Sequence, residues 1–293
     1  MALLTRKSDI NNSSAVDTTS RPMRPKRRQR AVGLWMGGGL VGLVLLLGII
    51  GPLIWRRPDA MSSYYLIPPG AHGYLLGTDQ FGRSEFTRII WGMRTSLEIS
   101  FVSIGIASIC GTLVGVYAAT NRVFDTVVMR VMDVLLAFPA MLMAIGIMAM
   151  VGPGILGVIE AISVVYLPIF ARVSRAPALE QLTKDYVEAE QSLGAATTRV
   201  LFRHVLPNIW PVIVIQLSLA VSDAILIEAA LSYLGLGVVP PAASLGALLE
   251  SGQSLMFTAP WLAIFPGIAI AMTVLGFNVL GDAIRDQSAV RGR

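Results

Sequence analysis

Two histidines, His72 and His204, and one cysteine, Cys110, are all the imidazole and thiol chemistry this chain holds. No zinc set, Cys/His couple or Ser/His/Asp triad can be assembled from that stock. A G-x-x-x-x-G-K-[ST] phosphate loop is also missing, so any work driven by ATP needs an ATPase on another chain. Two kinds of chemistry remain. One is a set of ionisable residues inside long apolar runs, Arg130, Asp133, Glu160, Asp223 and Glu228. A charge there is costly, and it pairs, relays a proton or lines a path. The other is a polar island between two apolar runs, from Tyr186 to Gly194 and on through Arg203, His204, Pro207 and Asn208. It has the make-up of a docking surface.

The elements that must position these residues follow from composition. Hydrophobic residues make up 54% of the chain and charged ones 14%, against roughly 25% charged in soluble domains. Six apolar runs reach or approach the length of about 20 residues that a bilayer requires: Val32–Trp55, Leu97–Ala119, Val127–Val151, Ile155–Arg172, Ile209–Leu231 and Trp261–Asp282. The expected fold is an all-α membrane protein, a polytopic bundle of six transmembrane helices. Glycines such as Gly111 and Gly115 let helices approach closely where lipid offers no hydrophobic drive for association. Cys110, alone within the second run, reads as packing.

Charge sets the expected orientation. Arg6, Lys7, Arg21, Arg24, Lys26, Arg27, Arg28 and Arg30 precede the first run, against Asp9 and Asp17 only. That excess places the N-terminus in the cytoplasm, and six spans return the C-terminus to the same side. Arg172, Arg175, Lys184, Arg199 and Arg203 fall inside on this scheme, and Glu250 is the lone charge of the outer 232–259 loop. Arg56, Arg57, Arg83, Arg88 and Arg94 run against it, although long external segments obey the rule weakly. The first run is too long for a signal peptide and lacks an Ala-x-Ala site, so it reads as an uncleaved span. Its basic flank suits anionic lipid better than nucleic acid.

The expected organisation is therefore a disordered basic cytoplasmic arm over 1–31 and a membrane domain over 32–286. Within that domain lie an external segment, 57–96, and a cytoplasmic loop, 173–208; a cytoplasmic tail follows over 287–293. Phe86, Ile89, Ile90 and Met93 give Ser84–Ser96 helical spacing, expected to pack along the membrane surface. Arg130 and Asp133, three apart, can pair on one helical face. Glu160, Asp223 and Glu228 have no obvious local partner, and Asp223 and Glu228, about 140° apart around a helix, do not share a face.

In the polar island, Thr183 or Asp185 can cap a helix with Glu188 in its first turn, where acidic side chains suit the dipole. Gly194 would cost about 1 kcal/mol relative to alanine inside a helix, so it is expected to end one or to admit a neighbouring backbone. Ala195 and Ala196 begin a second apolar face with Val200, Leu201 and Val205, and Pro207 is expected to stop that helix before the next span.

The spacing of Glu188, Ala189, Gly194, Leu206 and Pro207 resembles the EAA loop of permease subunits of bacterial ABC importers. Further segments resemble the dipeptide/oligopeptide/nickel branch: Leu76–Arg83, Trp91–Leu97, Met129–Pro139, Leu231–Pro241 and Asn278–Asp286. Together they cover about residues 32 to 287 and point to the second, C-type permease of a pair. Departures are Glu190, where alanine is usual, Pro177, Ser84, where aspartate is usual, and the tail from Gln287.

The resemblance implies a coupling-helix loop on which two cytoplasmic ATPase subunits dock, binding the ATP that this chain does not. It also implies a homologous second permease, an external solute-binding protein, and an inner-membrane location. Di- or oligopeptides are the expected cargo, with nickel, glutathione, opines and sugars also carried within the branch. Arg130, Asp133, Asp223 and Glu228 become candidate pathway or gating residues, with Glu228 alternatively hydrogen-bonded to the paired subunit. The rival from another class is an ion-coupled secondary transporter relaying protons through Asp133, Glu160 or Asp223. It gives the polar island no role. A membrane-embedded enzyme lacks a nucleophile, base or metal set.

Overall fold

The computed structural model of the protein describes residues 27–55 and 58–291. Residues 1–26, most of the expected disordered arm, lie outside the described residues, as do 292–293 of the expected tail. The first helix, α1, runs Arg27–Ile54, so residues 27–31 belong to it and not to the arm. The last, α10, runs Trp261–Arg291 and takes in residues 287–291, expected as tail.

Among the described residues the chain is helical, apart from turns and one isolated bridge between Thr78 and Ser84. Five helical stretches are long and apolar enough to cross a membrane. They are Leu34–Ile54 of α1, α2 (Glu85–Ala118), α5 (Ile155–Leu182), Thr197–Tyr233 and Trp261–Asp286 of α10.

The run expected as the third span is broken into α3 (Arg122–Ala137) and α4 (Ala140–Val151), bent by 96°. Pro139 causes the break: it offers no N–H and forces the preceding residue out of the helical region. Phe138 accordingly sits at φ −85°, ψ 137°. The six-span expectation thus becomes five continuous spans and one bent pair.

Ser84–Ser96 is not a separate surface helix. It forms the first turns of α2, with Ile89, Ile90 and Met93 buried in the bundle. At about 1.5 Å per residue, the 34 residues of α2 outreach the apolar thickness of a bilayer, so its first turns serve another layer. Pro168 and Pro177 both lie inside α5, which continues past them, so the departure at Pro177 does not interrupt the helix.

The bundle is built on the pairing of α2 with α5. A Cβ at Gly115 would sit 2.1 Å from the Ala171 carbonyl oxygen, and one at Gly111 would sit 2.5 Å from that of Leu167. Only hydrogen fits at either position. Ser174, wholly buried opposite Gly115, donates its hydroxyl to Phe170 O at 2.8 Å within its own helix. A small-residue seam of this kind substitutes close van der Waals contact for the hydrophobic drive that lipid removes.

The two ends of the bundle differ. One carries residues 119–121 and, after α5, α6 (Asp185–Ser192), α7 (Thr197–Val200), a π-helical turn (Leu201–Val205) and the start of α8 (Leu206–Tyr233). The other is capped by residues 58–84 and by α9 (Leu245–Gln253). Asp79 organises that cap. Its Oδ1 accepts from the backbone N–H groups of Phe81 and Arg83 at 2.8 and 2.9 Å, and its Oδ2 accepts from Arg83 Nε and Arg88 Nη1, both at 2.7 Å.

Candidate functional site

Residues 183–208 form a strut hung between α5 and α8. The N-cap of α6 is Lys184, in extended conformation and without a side-chain cap. Thr183, expected as a cap, instead donates its hydroxyl to Glu180 O at 2.9 Å, and Asp185 is already helical. Asp185 and Glu188 occupy the first turn, where they complement the dipole. Val187, fully buried, anchors the helix, while Glu188 and Ala189 are exposed.

The helix ends in a Schellman turn: Gly194 N–H donates to Gln191 O at 2.9 Å and Ala195 N–H to Glu190 O at 3.2 Å. Gly194, at φ 83°, supplies the left-handed residue that the turn needs. No protein atom lies within 4 Å of where its Cβ would be.

After the turn, Val200, Leu201 and Val205 face inward, at 0%, 6% and 0% exposure. The expected stop at Pro207 does not occur. α7 passes through the π-helical turn directly into α8, in whose first turn Pro207 sits, so Thr197–Tyr233 is one helical stretch. Pro207 withholds one N–H inside this stretch, just after the π-helical turn. Leu206 is half-buried and Pro207 exposed.

A network that the sequence did not disclose ties the strut together. Glu190 forms an ion pair with His204, each about a quarter exposed. The Tyr186 ring lies 5.7 Å from that of His204, and the Tyr186 hydroxyl donates to Gln181 Oε1 at 3.0 Å. Asn208 Nδ2 donates to that hydroxyl at 3.2 Å and to His204 O at 2.7 Å. The end of α5, α6, the π turn and α8 are thereby linked through side chains alone. Leu193 and Phe202, 89% and 63% exposed, leave apolar surface on the same element.

The charges in the spans are placed differently from the sequence expectation. Asp133 pairs with Arg172 of α5 and not with Arg130, which has no ion-pair partner among the described residues. Asp125 and Arg175 make a second, two-pronged link from α3 to α5. Asp223 is exposed and hydrogen-bonds the Tyr166 hydroxyl of α5, while Glu160 is exposed and has no ion-pair partner among the described residues. Glu228 is fully buried and accepts from Ser232 Oγ at 2.8 Å through one oxygen, while its Oε2 has no hydrogen-bond partner.

Among the described residues, no group of three or more His, Cys, Asp or Glu side chains stands close enough to share a metal ion. The exposed Glu188–Ala189 face of α6 is tied from behind to α5 and α8 through Tyr186.

Comparison with known proteins places this geometry. The family model described as "Binding-protein-dependent transport system inner membrane component" matches residues 111–291. A putative peptide transport system permease protein of Brucella suis is 41% identical over 279 residues, covering 95% of this chain and 92% of the relative. The di/tripeptide transport system permease protein DppC of Pseudomonas aeruginosa is 39% identical over 263 residues, covering 85% and 86%. The glutathione transport system permease protein GsiD of Pectobacterium atrosepticum is 41% identical over 260 residues, covering 84% of each. Among solved structures, an inward-facing form of the MetNI methionine ABC transporter superposes with a TM-score of 0.55 at 19% identity, covering 68% of this chain and 95% of its own.

Proposed function

Given that the chain belongs to the family of binding-protein-dependent transport system inner membrane components, and so is an ABC-importer permease subunit, we propose that it carries short peptides across the inner membrane. Its ATP-binding partners would dock on the strut, with both termini on that cytoplasmic side. The observation that carries the coupling reading is the unbroken helical path from α7 into α8, to which α6 is tied by the Glu190–His204 and Tyr186–Asn208 contacts. Glu188 and Ala189 offer the exposed grip, Gly194 makes the bend, and α7 with Leu206 and Pro207 leads straight into the span. A push on α6 is passed to α8 through the turn at Gly194 and the side-chain contacts that brace it. Closure of the ATPases would tilt α8 and α5 and shift the pathway between its two open arrangements.

The peptide reading is supported by relatives named as peptide and di/tripeptide permeases. A homologous second permease completes the pathway, and an external solute-binding protein delivers cargo to the capped end. Asp133–Arg172 and Asp125–Arg175 hold α3 against α5 close to the strut and serve as gate contacts. The chain does no bond chemistry and binds no ATP of its own. The ion-coupled alternative finds no support, since two of its three relay acids are already engaged, Asp133 by Arg172 and Asp223 by Tyr166.

The test is uptake of labelled di- and tripeptides in a strain lacking this gene and complemented with wild type or Gly194→Asp. Restored uptake with wild type, and none with a variant that still inserts into the membrane, is the expected result. Normal uptake by Gly194→Asp would sink the coupling assignment. Uptake of nickel or opines, with no peptide uptake, would sink the cargo assignment.

A further inference from the structure

At the capped end, the 58–84 segment, the turn at Pro240 and Pro241, and α9 enclose a cavity of about 470 Å³. Its polar wall holds Asp79, Arg83, Glu85 and Arg88, and apolar side chains such as Phe81 and Leu248 line the rest. Asp79 is saturated by its four donors, and Arg83 also lies 3.9 Å from Asp59. Three carboxylates, of Asp59, Asp79 and Glu85, thus stand with two guanidiniums, of Arg83 and Arg88. Glu85 is the one left over.

Glu85 is 2% exposed, and its Oε1 has no hydrogen-bond partner. Arg88, one helical turn on and 6% exposed, gives Nη1 to Asp79 while its Nε–H has no acceptor. A carboxylate buried without a partner is costly, and so is an unmade N–H bond. Lining a cavity of this size, the carboxylate and the guanidinium suit a guest that brings a cationic donor and a carbonyl acceptor a few ångströms apart. Residues three apart on a helix present their side chains at about that spacing. The apolar walls call for a hydrophobic body on the same guest. An ammonium, a carbonyl and an apolar side chain on one carbon make up the amino-terminal residue of a peptide.

We propose that this cavity is a binding site for the amino-terminal residue of a short peptide, with the ammonium paired to the Glu85 carboxylate and the first carbonyl accepting from the Arg88 guanidinium. The site deepens the peptide-import reading and rests on it. Ser84 stands where the resembling family carries an aspartate, and in this chain the acid is Glu85, one residue later and facing the cavity.

The test uses the full chain in lipid nanodiscs and titration calorimetry with leucinamide, which carries all three features, and with N-acetyl-leucinamide, which lacks the ammonium. Glu85→Gln keeps the shape of a protonated acid and removes the charge. Ser251→Trp fills the mouth of the cavity without touching the charges, so it covers the case in which Glu85→Gln does not fold. Expected are binding of leucinamide to wild type, at least tenfold weaker binding to Glu85→Gln, none to Ser251→Trp, and none of the acetylated probe. Equal affinity for wild type and either variant, equal affinity for the two probes, or no binding of leucinamide to folded wild type would overturn the site. Because this readout needs no ATPase and no uptake, it is separate from the import assay. Peptide uptake without leucinamide binding removes the site alone, and leucinamide binding without peptide uptake removes the cargo reading alone.

Discussion

The cap and the strut, at opposite ends of one bundle, use charge in opposite ways. In the cap, Asp79, Glu85 and Arg88 are nearly removed from solvent, and Asp79 alone collects four donors. In the strut, Glu188 is exposed, and the ion pairs, Lys184 with Glu180 and Glu190 with His204, are partly open to water. Buried charge holds a loop in a single shape, because removing one partner strands the other. Exposed charge contributes little to stability and is available to a partner chain. The comparison teaches that the two ends answer differently to damage: losing a buried partner of Asp79 should unfold the cap, and losing an exposed contact should uncouple the strut.

Asp79→Ala should show the largest loss of stability, since it strands Arg88 and much of Arg83 inside the cap; breaking a buried pair costs about 3–5 kcal/mol. The expected outcome is a chain that scarcely accumulates in the membrane, read by immunoblot of membrane fractions. Wild-type accumulation would contradict the role given to the cap. Gly115→Ala comes next. Its methyl would press on the Ala171 carbonyl oxygen, an overpacking cost of about 1–3 kcal/mol, seen as a lower midpoint of thermal unfolding in detergent.

In the strut the order reverses. Gly194→Asp should shift that midpoint little, because an added side chain meets open space and only the left-handed backbone resists it, yet uptake should be lost. A large drop in midpoint would mean that the strut carries folding energy after all. The smallest stability effect is expected for Glu190→Gln, under about 1 kcal/mol for a partly exposed pair. Its signature is ATP consumed per peptide imported by the assembled transporter, which should rise as the link between α6 and the π turn loosens.

Much of this division was legible in the sequence. Length and apolarity mark the spans, and Gly194 reads correctly as the end of a short helix because few residues other than glycine adopt φ near +80°. Pro139 carried the signal for the break between α3 and α4, hidden by an apolar run that is continuous by composition. Spacing failed for the partners. Arg130 and Asp133 have the right separation for a local pair, but Arg172, distant in sequence, holds Asp133 instead. Glu228 did have a local signal, a serine one turn on at Ser232.

The Glu190 to His204 contact gives the acid that stands where alanine is usual a partner within the strut. Asp79 as a hub had only the helical-looking spacing to Arg83 to announce it, in a segment where backbone turns, and not a helix, bring the two together. Tertiary pairs of this kind are set by how helices pack, and that is not written at any single spacing.

The central claim, that the exposed Glu188–Ala189 face is where an ATPase grips this permease, is tested most directly by crosslinking. With Cys110 replaced by serine, a single cysteine at Ala189 should crosslink to the ATPase of the assembled transporter, with a yield that changes when ATP is added. A crosslink to the ATPase from Met61 in the cap, and none from position 189, would contradict the account.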